Sequence, residues 1–90
     1  MEFVSAAYGW FDKISSTLNV RATGFILIDN KTGLCLDARG VAQKEDASKI
    51  FVASKEAIDD SGNGAIEFSR CRVLLRREPN CVVGLYTDLV

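Results

Sequence analysis

Few side chains in this 90-residue chain are able to do chemistry. Cys35, Cys71 and Cys81 have no C-x-x-C spacing, and the chain has no histidine to complete a zinc set or to serve as base for a thiol. The three cysteines therefore read as reduced, partly buried small hydrophobes, the state expected inside a cell. Asp59, Asp60, Ser61, Gly62, Asn63 and Gly64 concentrate oxygen donors, but the terminal glutamate of a calcium loop is missing. No lysine or threonine follows the glycines at the spacing of a phosphate cradle either. Arg70, Arg72, Arg76 and Arg77 make a basic run without interleaved aromatics, so it reads as a solvated strand face or as a contact for an acidic protein partner, not as a nucleic-acid stripe. Catalysis would need Cys35 or Cys71 to work unaided, since no paired carboxylates sit in a recognisable framework. The expectation is a non-enzyme with no cofactor and no metal site.

Composition points the same way. A net charge of −1 sets up no global field toward nucleic acid or an acidic membrane. The apolar runs are too short to span a bilayer, and the start lacks the charged-then-apolar order of a secretion signal. Met1-Glu2 does not begin a myristoylation motif, and Thr87-Asp88-Leu89-Val90 offers no cysteine for prenylation. A cytoplasmic address follows, with membrane residence only through a partner. One domain over residues 1–90 is expected, with no internal repeat or linker.

The elements that must position these residues centre on residues 23–40. Phe25-Ile26-Leu27-Ile28 is a continuous apolar run, as in a strand covered on both faces. Asp29-Asn30-Lys31-Thr32-Gly33 is a turn, and Leu34, Leu36 and Ala38 then alternate with Cys35, Asp37 and Arg39, which predicts a second strand with the first set buried. Upstream, Phe3, Ala7, Trp10, Phe11, Ile14 and Leu18 repeat at three and four, which predicts a helix over residues 2–18. That helix would pack on the sheet or fill a partner's groove. A second helix is predicted over residues 44–58 from Ala47, Ile50, Phe51, Ser54, Ala57 and Ile58; Val52 and Ala53 widen its apolar arc, as a subunit contact would or as a lone exposed valine would. Residues 59–64 form a loop. Short strands follow at residues 65–68, 72–77 and 81–87, the last two joined by Glu78-Pro79-Asn80. The predicted fold is α+β, a five-stranded antiparallel sheet with helices packed on it, in the order helix-strand-strand-helix-strand-strand-strand.

The hairpin GFILIDNKTGLCLDARG resembles the roadblock/LC7 superfamily, with Gly24 before the strand, Asp29 and Gly33 around the turn, Leu34-Cys35-Leu36 after it and Arg39-Gly40 at its close. A chain ending directly after the last strand is similar to a small Ragulator-type subunit of that family. Ser48 departs from the family's usual glycine, and Ser69-Arg70-Cys71 is more compressed than its usual turn. The resemblance implies a non-catalytic scaffold subunit on the lysosomal or vacuolar surface, anchoring Rag-type GTPases for amino-acid signalling to the TOR kinase. It implies pairing with another roadblock-fold subunit through the second helix and third strand, at Ser48, Phe51, Val52, Lys55, Ile66, Glu67 and Phe68. The same fold also serves a dynein light-chain-like motor adaptor or a small-GTPase regulator.

Overall fold

The computed structural model describes residues 22–68 and 70–88. In chain order they form β1 (Ala22–Asp29), β2 (Cys35–Gly40), a 3-10 turn (Lys44–Asp46), α1 (Ala47–Ala57), β3 (Asn63–Phe68), β4 (Cys71–Arg77) and β5 (Cys81–Asp88). The strands make one antiparallel sheet in the order β2-β1-β5-β4-β3, with β2 and β3 at its edges. β5 is the centre and is buried from Cys81 to Thr87.

This corrects the expected fold class. The described domain is mostly sheet with one α-helix, not several helices on a sheet, and its order is strand-strand-helix-strand-strand-strand. The helix expected over residues 2–18 lies outside the described residues. Among the described residues the 11-residue α1 packs on one face of the sheet. Ala47, Ile50 and Ile58 pack there with Ile26, Ile28, Val73, Leu75, Val82 and Tyr86. Alternation sends Phe25, Leu27, Val83 and Leu85 to the opposite face, where they are also buried.

α1 is shorter than its periodicity predicts. Asp46 accepts the Gln43 amide at 3.1 Å and the Tyr86 hydroxyl at 2.8 Å through the same oxygen. That double tie holds residues 44–46 in the tighter turn and anchors the helix start to the central strand. At the other end Ile58 is extended and only 7% exposed, so the chain leaves the helix to bury that side chain.

The β1–β2 turn follows from its residues. Asp29 accepts the Thr32 amide and hydroxyl, and Gly33, at φ 75°, donates to the Asp29 carbonyl at 2.9 Å. A Cβ on Gly33 would lie 2.7 Å from the Phe51 ring, so glycine serves both the left-handed turn and the seating of α1. Beyond the turn the expected alternation fails. The pairing shifts between Leu27 and Ile28, which meet Asp37 and Cys35, leaving Leu36 as the extra residue of a bulge. Cys35 and Ala38 therefore pack against the core on the α1 side, while Leu34 and Leu36 are exposed.

β3 starts earlier than predicted, at Asn63, because Asp59 folds the preceding loop onto itself. Its carboxylate accepts the amides of Ser61 and Asn63, and the Asp59 amide donates to the Asn63 carbonyl. Gly64 then passes so close to the end of α1 that a Cβ there would lie 2.3 Å from the Ala57 carbonyl oxygen. At the β3–β4 turn Arg70 has φ 66°, and such a conformation costs about 1–2 kcal/mol for a residue with a Cβ.

Candidate interaction surface

The expected interface residues do not converge on one patch. The Phe51 ring turns toward Gly33 and so toward the β1–β2 hairpin, at the far side of the sheet from β3. Lys55 stays with it, its ammonium 5.0 Å from the ring centroid. At 100° per residue, Lys49 and Ala53 lie on the other flank of α1, toward β3. Ser48, Lys49, Val52 and Ala53 line a shallow apolar depression on the outer side of the helix, and Val52 is 66% exposed. Ser54, inside, satisfies its hydroxyl on the Phe51 carbonyl at 2.7 Å.

β3 supplies the other half of this surface. It pairs with β4 in unbroken register from Asn63 to Phe68, and no described strand lies on its outer side. Ile66 and Phe68 are half-buried beside the core; the Phe68 ring meets Tyr86 edge-on with centroids 6.5 Å apart. Their side chains therefore support the edge more than they present it. Ala65 and Glu67 are exposed on the opposite face. Of the seven expected residues, Ser48 and Val52 share the helix depression, Ile66, Glu67 and Phe68 form the edge, and Phe51 and Lys55 belong to the hairpin side. Lys49 was missed, although its i, i+4 spacing with Ala53 carried the signal.

The chemistry-bearing groups are built into structure. Burial pushes the Cys81 thiol up to about 11 and raises Cys35 as well, which keeps both protonated and poorly nucleophilic at neutral pH. Burial first, then the bond to Asp46, raises the Tyr86 hydroxyl far above its ordinary value. The Ser61 hydroxyl, followed by loop amides, holds the Asp59 carboxyl below its ordinary value, so the acidic loop's oxygens are turned on the loop itself. Among the described residues no group of three or more histidine, cysteine or acidic side chains is placed to hold a metal ion.

The four arginines separate. Arg76 bonds the Ser61 carbonyl and the Asn63 side chain, each at 3.1 Å, and pairs with Glu78 at 3.4 Å, pinning the loop before β3. This corrects the solvated-face reading for Arg76. Arg70, Arg72 and Arg77 are exposed. Among the described residues the fold and this surface define a mostly sheet domain with one helix packed on it, an unpaired β3 edge and an apolar depression on the outer side of the helix. No protein-family model and no curated protein matches the chain. No described helix is long and apolar enough to cross a membrane.

Proposed function

We propose that this chain is a non-catalytic scaffold subunit of the roadblock/LC7 type, pairing edge to edge with another roadblock-fold subunit. The observation that carries the reading is the regular β3 edge, with α1 packed against that strand and Val52 exposed on the outer side of the helix. An edge of that kind offers a row of backbone donors and acceptors, and an adjoining apolar helix flank adds buried area when a second sheet is joined to it. The hairpin's likeness to the small Ragulator subunit known as hepatitis B X-interacting protein supports the finer assignment. In that assignment the chain sits peripherally on the lysosome, late endosome or vacuole through partner subunits, in a scaffold that anchors Rag-type GTPases for signalling to the TOR kinase. The Cys35 and Cys81 thiols, held protonated by burial, support a structural role for those two side chains.

The test is light-scattering mass of the chain alone and after co-expression with roadblock-fold subunits. A one-to-one heterodimer that dissociates when Val52→Asp is introduced is the expected result, with affinity falling by at least about tenfold for a charge placed in an apolar contact. A stable monomer indifferent to every such subunit overturns it. A homodimer unaffected by Val52→Asp moves the reading to a motor adaptor or GTPase regulator.

A further inference from the structure

Among the described residues the backbone is left-handed at four positions, Gly33, Gly40, Gly62 and Arg70. Three are glycines, the residue that takes this conformation without strain. Arg70 is the exception, at the turn joining the β3 edge to β4, and a residue held against its backbone preference is a pointer to function. Its side chain is exposed, as is that of Arg72 two residues on. Neither makes an ion pair among the described residues, whereas Arg76 on the same strand is tied to Glu78 and the acidic loop. The carboxylates in register nearby are Glu67, opposite Arg72, and Asp88, opposite Cys71. The end of the sheet thus presents two exposed guanidinium groups that make no ion pair among the described residues.

We propose that the β3–β4 turn is an anchor for an acidic segment of a protein partner, with Arg70 and Arg72 as its contacts. Guanidinium binds carboxylates through paired, charge-assisted hydrogen bonds, and Arg70 and Arg72 stand at the end of a strand pair in unbroken register. No aromatic side chain among the described residues of this turn offers the stacking platform that single-stranded nucleic acid would use.

The experiment titrates the full chain with a fluorescein-labelled hexaglutamate peptide and, separately, with a labelled uridine hexanucleotide. Arg70→Gly, Arg70→Lys and Arg72→Ser are compared with the parent chain, and each is also unfolded in urea. Saturable hexaglutamate binding is expected, weakened about tenfold in Arg70→Gly and Arg72→Ser and within about twofold of the parent in Arg70→Lys, the scale of one lost charge-assisted contact. Arg70→Gly is expected to unfold at higher urea than the parent while binding less, a split that a merely structural arginine would not give. Equal hexaglutamate binding by Arg70→Gly and the parent, no saturable binding, or tighter binding of the oligonucleotide than of the peptide each overturns the proposal.

Discussion

The two edges of the sheet are built to opposite ends. β2 is interrupted by the Leu36 bulge, carries the Asp37–Arg39 ion pair at 3.0 Å and closes on Gly40 at φ 65°. Bulges and charges twist and guard an edge against further strands. β3 has neither a bulge nor a proline, and its six residues stay in register throughout. Exposed apolar side chains do not mark the more regular edge: Leu34, just before β2, and Leu36, within it, are exposed, yet the backbone there is the less regular of the two. In the proposed pairing, what favours β3 is the geometry of its backbone together with the helix packed against it.

The strongest way to break this comparison is to move α1 away from β3. Gly64→Val would drive a branched side chain into the Ala57 carbonyl, and a loss of about 3 kcal/mol in urea-unfolding stability is expected, with β3-dependent association lost as well. Unchanged stability would mean that the helix and edge are not locked together.

A gentler change should open the guarded edge. Deleting Leu36 removes the extra residue of the bulge while leaving Cys35 opposite Ile28, so β2 becomes a regular strand. Light scattering at high concentration is expected to show new self-association that Val52→Asp does not suppress. If the deletion variant stays monomeric, the bulge is not what guards β2.

The smallest expected effect concerns the loops feeding each edge. Asp29 at the β1–β2 turn and Asp59 before β3 both have carboxyls held below the ordinary 3.8, chiefly by the hydroxyls of Thr32 and Ser61 respectively. A folded value below the unfolded one means that the stabilising contribution is whole above about pH 4 and is lost as pH falls through the folded value. Urea midpoints measured from pH 6 down to pH 2 should therefore fall, and Asp29→Asn and Asp59→Asn should each flatten the curve by a modest amount, because both groups are exposed. An identical pH curve for both variants and the parent would remove the role assigned to these turns.

Much of the sheet was legible in advance because its signals are local. Phe25 to Ile28 is apolar without a break, and β1 is buried there on both faces beside the central β5. Glu78-Pro79-Asn80 and Asp29 to Gly33 carry turn chemistry in the residues themselves, and both close hairpins. The candidate site was legible only in outline. Periodicity placed Phe51, Val52 and Lys55 on one helix but not the direction of its roll, and it could not separate Arg76 from its neighbours.

The amino-acid order by itself indicated five strands and the turns at Asp29 to Gly33 and Glu78 to Asn80, though not where β3 begins, and also that no histidine is available for catalysis and that α1 has more apolar surface than one packing face requires. Tertiary structure alone decided which way Leu34 and Leu36 face, that Phe51 seats on Gly33, that Asp46 is drawn to Tyr86, and that β3 rather than β2 keeps a regular edge. The physical reason is range. A side chain's preference for strand or turn is set by its own backbone, whereas a bulge, a helix roll and the Asp46–Tyr86 hydrogen bond depend on partners in other elements, up to 40 residues away, which no local pattern specifies.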